Sequence, residues 1–261
     1  MKPRAAPLAG RRILVTRPDA QAEGLAQRIR DAGGEPVCVA AIEVRDLADP
    51  GPFHDVADRL ESFDLAIFVS RNAVRKALAM LRARRGGKTW PVRLGVATVG
   101  QGSRAELVAQ GFARVLAPPA KSDSEALLAL PELVRVNGKR IVIFRGDEGR
   151  RLLGETLAAR GATVEYAACY RRVRPADGGR LREAWAGGLD AVTVSSAEGL
   201  ANLIAMLGND AAQRMSGVPL FVPHARVAEE ALERGLRGPI VAGPRDTEML
   251  AALTAHFGAA R

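Results

Sequence analysis

Short runs of hydrophobic residues alternate along the chain with segments whose apolar positions have helical spacing. The first run, Ile13 to Thr16, is followed by a helical pattern over Gln21 to Arg30 and, after Gly33-Gly34, by a second run over Pro36 to Val44. Glycine directly after a helical pattern is a common helix end. This alternation predicts an α/β fold in which helices cover both faces of a parallel sheet.

Ten hydrophobic runs predict ten strands, divided into two sheets of five. They start near Ile13, Val37, Leu65, Arg93, Val115, Ile141, Val164, Ala191, Val218 and Ile240. The second half of the chain repeats the first, because Arg12 to Arg17 aligns with Arg140 to Arg145, and Asp64 to Ser70 aligns with Asp190 to Ser195. A repeat of this length indicates a duplicated domain rather than a solenoid.

The second strand of each copy is predicted to continue beyond its apolar core. Val39 to Val44 leads to a turn-rich segment at 49–52, and Ala168 to Val173 leads to another at 174–178. Two such strands side by side would form a two-stranded link between lobes. An ordinary long edge strand explains the same pattern equally well.

Composition limits where the protein works and what it binds. No stretch approaches the roughly 20 apolar residues of a membrane span, and no apolar segment of signal-peptide length follows the basic N-terminus, 1–12. Cys38 and Cys169 lie in apolar runs without metal-ligand spacing. We therefore expect a cytoplasmic protein that does not bind membranes.

The net charge of +9 suggests an anionic partner. A general coding bias towards arginine, unrelated to any ligand, explains the positive charge equally well. Nucleic acid is not expected, because aromatic residues are only 4% of the chain and the arginines are spread along it rather than clustered.

Candidate binding segments follow the predicted strands, because open parallel sheets bind ligands at the carboxyl ends of their strands. Most of these segments contain small or hydroxylic residues, and each opens a helix, whose first amides attract anions. Ordinary N-capping explains each one taken singly, whereas the whole set favours an anion-binding surface. The segments are 16–18, 70–73, 99–103, 145–149, 195–197 and 223–226.

Motifs for other chemistries are missing from the sequence. Gly100-Gln101-Gly102 lacks the third glycine of a dinucleotide-binding loop, no phosphate-binding loop or nucleophile elbow occurs, and the three histidines are scattered. The sequence therefore predicts neither a metal nor another cofactor. An enzyme with these residues would act mainly by holding a reactive substrate in one conformation.

Two tyrosines, Tyr166 and Tyr170, share one face of a long predicted strand. A phenol is neutral at neutral pH and donates a hydrogen bond or a proton. From the residues alone, a packing role is the simpler interpretation of either tyrosine.

An ordered set of motifs resembles the uroporphyrinogen-III synthases, from about Arg12 to Leu253. These motifs are Val15-Thr16-Arg17-Pro18, Phe68 to Val74, Val99 to Ser103, and Arg145 to Arg150 with its continuation to Tyr170-Arg171-Arg172. The resemblance implies two flavodoxin-like lobes, each a five-stranded parallel sheet flanked by helices, joined by a two-stranded linker. The implied division is 1–42 with 174–261 for one lobe, 48–168 for the other, and linker strands 43–47 and 169–173.

The resemblance also implies an activity. Family members close hydroxymethylbilane, which carries eight carboxylates, to uroporphyrinogen III, with loss of water and inversion of the last pyrrole. They act without a cofactor, as monomers, with a possible transient hand-over from hydroxymethylbilane synthase. Tyr170 matches the tyrosine that the family places near the leaving hydroxyl.

The substrate-binding residues that the resemblance implies lie at the strand ends named above. His224 stands where many relatives have a hydroxylic residue, and Arg71 where a small residue or proline is common. The implied contacts are Thr16, Arg17, Ser70, Asn72, Ala73, Gly100, Ser103, Arg145, Gly146, Arg151, Ser195, Ser196 and His224.

Three other functions compete with this hypothesis. A non-catalytic, two-lobed binder of small polyanionic ligands would share the basic charge and the strand-end segments. A nucleic-acid-binding regulator would need a clustered basic face. A nucleotide-sugar transferase would need an acidic metal-binding or ribose-binding site, and none is found in the sequence.

Overall fold

The computed structural model describes residues 6–119, 123–176 and 178–258. Its strands, in chain order, are β1 (Arg12–Val15), β2 (Glu35–Cys38), β3 (Glu43–Arg45), β4 (Leu65–Phe68), β5 (Gly95–Thr98), β6 (Arg140–Gly146), β7 (Thr163–Val173), β8 (Ala191–Thr193), β9 (Leu220–Val222) and β10 (Ile240–Val241).

Twelve α-helices lie between and after these strands in the described residues. They are α1 (Asp19–Asp31), α2 (Gly51–Asp58), α3 (Arg71–Arg85), α4 (Gln101–Ala109), α5 (Ser124–Leu128), α6 (Pro131–Val134), α7 (Leu152–Ala159), α8 (Gly179–Ala186), α9 (Ala197–Leu207), α10 (Ala211–Arg214), α11 (Ala225–Glu233) and α12 (Asp246–Gly258). None of them is long and apolar enough to cross a membrane.

The chain forms two compact units. Unit 1 contains the described residues up to Glu43 and from Val173 onward, and unit 2 contains Val44–Arg172. Each unit holds one five-stranded sheet, so the α/β class with parallel sheets flanked by helices is confirmed.

The sheet of unit 1 has the strand order β10-β9-β8-β1-β2, and each neighbouring pair is parallel. Strand β1, which lies between β8 and β2, is buried on both faces. Leu14 belongs to one apolar cluster with Leu200 of α9, while Ile13 and Val15 belong to another with Leu253 of α12. Side chains alternate across a strand, so this alternation explains why helices cover both sides of the sheet.

The sheet of unit 2 has the order β3-β7-β6-β4-β5, with parallel pairs from β7 through β5. On one face Phe68 stacks on Phe144, with ring centroids 4.9 Å apart. On the other, Ile67 and Ile143 pack in the cluster that contains Leu153 of α7. The carboxyl ends of β4 and β6 are thereby fixed side by side.

Two strand predictions are wrong in detail. The run Pro36 to Val44 is two strands, because β2 ends at Cys38 and β3 joins the other sheet beside β7. Between them Val39 and Ala41 are buried in the core of unit 1, so packing holds this segment where no strand ladder does.

The strand predicted from Val115 is reduced to one parallel bridge between Leu116 and Ala97. Two prolines follow directly, Pro118 and Pro119, and proline has no N–H to donate to a ladder. The fifth strand of this sheet is β3, which lies at the opposite edge, beside β7. The long second strand of the second copy is observed, since β7 runs unbroken for 11 residues.

Candidate functional site

The N-terminus of α3 follows directly from β4 in unit 2. Ser70 is its N-cap residue, and its Oγ accepts a hydrogen bond from the Ala73 amide at 3.0 Å. The amides of Arg71 and Asn72 have no partner within the helix, because the first turn lacks preceding carbonyls. These amides and the helix dipole make this end of α3 attractive to an anion.

Unit 1 repeats this arrangement at the N-terminus of α9. Ser196 Oγ accepts from the Gly199 amide at 3.0 Å, and the backbone angles of Ser196 nearly equal those of Ser70. Ser195 precedes the cap and is half-buried. The two copies therefore present equivalent helix ends after equivalent strands.

Tyr170 lies behind Ser70 rather than in the open. It pairs with Gly146 in the β6–β7 ladder, is only 2% exposed, and places its hydroxyl 3.2 Å from Ser70 Oγ. A Cβ on Gly146 would come 3.0 Å from the tyrosine ring, so a side chain there would press directly on the phenol. Glycine at 146 thus leaves room for the ring, and Ser70 is the hydrogen-bond partner of the phenol hydroxyl.

Arg145 precedes Gly146 and is 8% exposed. Its guanidinium lies 5.0 Å from the ring centroid of Tyr166. Two cavities, of about 220 and 390 Å³, open beside it in unit 2. Arg151, the N-cap residue of α7, is exposed and lines the larger one.

Thr16 and Arg17 have partners inside unit 1. The buried Thr16 hydroxyl donates to the Thr193 carbonyl at 2.8 Å, and the Arg17 guanidinium forms an ion pair with Asp246 at the start of α12. No local pattern in the sequence marks Asp246 as a partner of Arg17. The two residues are far apart in the sequence, so only the fold brings them together.

Gly100 and His224 occupy equivalent N-cap positions of α4 and α11 in the two copies. His224 is exposed, whereas Ser103, in the first turn of α4, is buried. The His224 side chain makes no bond to its helix. Its imidazole is therefore open to solvent, whereas the Ser103 hydroxyl is enclosed.

Other features of the structure carry little chemistry. Burial raises the pKa of the Cys169 thiol to about 12, so this thiol stays protonated and unreactive. No group of three or more possible metal ligands occurs in the part of the chain that the structure describes. A cavity of about 520 Å³ is lined by Val218, Pro219 and Gly238, which precede β9 and β10, and so lies at the amino ends of these strands.

Comparisons with known proteins agree with these observations. A family model described as uroporphyrinogen-III synthase HemD matches residues 23–252. Uroporphyrinogen-III synthase of Salmonella typhimurium is 34% identical over 91% of this chain and 97% of its own length, and that of Escherichia coli is 33% identical with the same coverage.

Solved structures of two uroporphyrinogen-III synthases share the fold. A mutant from the extremely thermophilic bacterium Thermus thermophilus aligns with a TM-score of 0.62 at 17% identity, covering 97% of this chain and 100% of that one. The protein from Helicobacter pylori aligns with a TM-score of 0.58 at 12% identity, covering 94% of this chain and 99% of that one.

Proposed function

This chain belongs to the uroporphyrinogen-III synthase family, and we propose on that premise that it closes hydroxymethylbilane to uroporphyrinogen III, with loss of water and inversion of the terminal pyrrole. The family match confirms the resemblance of the sequence motifs. Within the structure, the observation that carries the proposal is the Tyr170–Ser70 hydroxyl pair at the positive end of α3.

The first step needs a proton for the departing hydroxyl. Because Tyr170 is buried and Ser70 is half-buried, we assign the contact with the leaving group to Ser70, whose hydroxyl proton is replaced from the phenol. The C–O bond breaks, water leaves, and the substrate becomes an azafulvene cation. Tyr170 therefore assists through Ser70, and its loss slows the reaction without abolishing it.

Ring closure follows from the way the cation is held. The electrophilic carbon bonds to the substituted position of the far pyrrole, giving a spiro intermediate whose ring opens and rejoins in the inverted sense. A final proton loss from the new ring restores the proton that Tyr170 and Ser70 supplied. Unaided closure gives the symmetric type I isomer, so the enzyme must bind the type III transition state more tightly.

The polycarboxylate substrate requires many anion contacts. We propose the N-terminal amides of α3 at Arg71 and Asn72 and of α9 beyond Ser195 and Ser196, with Gly100 at the start of α4 and Gly146 at the end of β6. The Ala73 amide already donates to Ser70 Oγ, so its contact with a carboxylate requires that bond to break. Arg151 and His224 are exposed, so they can contact a carboxylate directly. Contact with Thr16, Arg17 or Ser103 requires their present surroundings to change.

We also propose the family's domain organisation for this chain: lobes 1–42 with 174–261 and 48–168, both flavodoxin-like, with linker strands 43–47 and 169–173. Two features support it. Strands β3 and β7 are neighbours in one sheet, and the unit 1 order β2-β1-β8-β9-β10 is the flavodoxin order. We further propose a cytoplasmic monomer that receives its unstable substrate from hydroxymethylbilane synthase.

The decisive experiment is a product analysis. Purified protein is incubated with freshly generated hydroxymethylbilane, without added cofactor or metal. The products are oxidised, and the type I and type III isomers are separated by chromatography. Mostly type III is expected. If only the type I isomer of the protein-free control appears, the synthase assignment is wrong, and a non-catalytic binder of polyanionic ligands becomes the better description.

A further inference from the structure

Arg145 is a buried cation without a buried anion. Its Nε donates to the Gly146 carbonyl at 3.1 Å, and its Nη1 donates to the Arg150 carbonyl at 3.2 Å. Among the described residues, no carboxylate lies within ion-pair distance of it, and Nη2 has no hydrogen-bond acceptor. Buried charges are ordinarily paired, so the unpaired guanidinium, which lines two cavities, offers an N–H donor to an anion.

Tyr166 supports this guanidinium from one side. Its ring centroid lies 5.0 Å from Arg145 Cζ, and its hydroxyl donates to the Arg151 carbonyl at 3.2 Å. The contact over the aromatic face stabilises a cation and fixes the plane of the guanidinium. Tyr166 is 42% exposed, so it is not held here as part of the core.

Two glycines leave room for this arrangement. A Cβ on Gly149 would lie 2.6 Å from Arg145 Nη2, and a Cβ on Gly154 would lie 2.1 Å from the Tyr166 hydroxyl. Both residues therefore permit close approach of a side chain to the backbone. Arg145, Gly149 and Tyr166 line both cavities of unit 2, of about 220 and 390 Å³.

We infer that Arg145, supported by Tyr166, forms a carboxylate subsite in unit 2. The inference rests on the proposed function, because the ligand is one acidic side chain of the polycarboxylate substrate. A planar guanidinium with a free N–H matches a carboxylate in shape and charge. Tyr166 is a positioning residue, since it acts through Arg145. Glu148 also lines both cavities and repels the same ligand.

The test compares KM and kcat for type III formation. Arg145→Gln is expected to raise KM about 10-fold or more, the usual effect of losing a charge-assisted hydrogen bond. The KM of this variant also depends less on salt than that of the wild type. Arg145→Lys restores only part of the loss, because an ammonium lacks the planar fork. Glu148→Gln is expected to lower KM.

Variants at the supporting ring separate positioning from folding. Tyr166→Phe keeps the aromatic face and stays near the wild-type KM, whereas Tyr166→Leu raises KM about 3-fold. Gly154→Ala displaces the Tyr166 ring without changing Arg145 or Tyr166 itself, and raises KM as Tyr166→Leu does. The control is Arg135→Gln, which removes an exposed cation that precedes β6.

The inference is overturned if the KM of Arg145→Gln stays within 2-fold of the Arg135→Gln control. Failure of the proposed function appears differently, as a wild-type protein that forms no type III isomer. In that case equilibrium binding of uroporphyrin III, followed by its own absorbance, tests the subsite without catalysis. Weaker binding by Arg145→Gln than by Arg135→Gln upholds the subsite, and equal binding refutes it.

Discussion

Replacing Ser70 by alanine tests the Tyr170–Ser70 hydroxyl pair against an internal control. Loss of an N-cap costs about 1 kcal/mol of folding free energy. At Ser70 the substitution also removes the partner of the Tyr170 hydroxyl, and a buried polar group left without its bond costs about 1–3 kcal/mol. We therefore expect a total loss of about 2–4 kcal/mol. Ser196→Ala removes the equivalent cap of unit 1 and should cost about 1 kcal/mol.

The two losses can be measured separately, because each unit contains one of the two tryptophans. Trp90 lies in unit 2 and Trp185 in unit 1. Urea unfolding is followed by the fluorescence of Trp90 in a Trp185→Phe background, and by that of Trp185 in a Trp90→Phe background. Each serine variant is compared with its own parent, so the effect of the tryptophan replacement cancels.

The refuting result is a Ser70→Ala loss equal to the Ser196→Ala loss, since the Tyr170 hydroxyl would then contribute nothing. A third comparison checks the cause. In a Tyr170→Phe background no phenol hydroxyl remains to be left unpaired, so Ser70→Ala should fall to the cost of a cap, about 1 kcal/mol. An unchanged loss in that background would assign the excess to some other contact.

Three further predictions concern single residues. Cys169 should resist iodoacetamide at mildly alkaline pH in the folded protein and react only after unfolding, because its pKa is raised to about 12; mass spectrometry locates the adduct. Arg85 lowers the pKa of Glu61 from 4.5 to about 2; Glu61→Gln should therefore destabilise the protein at neutral pH, and the difference should shrink as pH falls from 4.5 towards 2 in urea titrations. Gly161→Ala should lower the melting temperature more than Gly111→Ala, because both glycines have positive φ but only a Cβ at 161 would meet another atom closely, at 2.1 Å.

The local pattern of residues was sufficient to predict many strands, helices and helix caps of this protein. The alternation of buried side chains in Ile13, Leu14 and Val15 follows from the period of a strand, and helices on both faces follow from that alternation. The helix caps at Ser70 and Ser196 also follow from local sequence. A serine between a strand and a helical pattern accepts a hydrogen bond from the amide three residues later.

The sequence alone therefore determined the α/β class, the duplication and the strand ends where candidate residues collect. Only the tertiary structure decided which of them meet. Tyr170 reaches Ser70 across 100 residues, and Arg17 reaches Asp246 across 229. The run Pro36 to Val44 divides between two sheets because of packing that no local periodicity records. Spacing along a strand or helix is a local property, whereas the order of strands in a sheet is settled by the burial of the whole core.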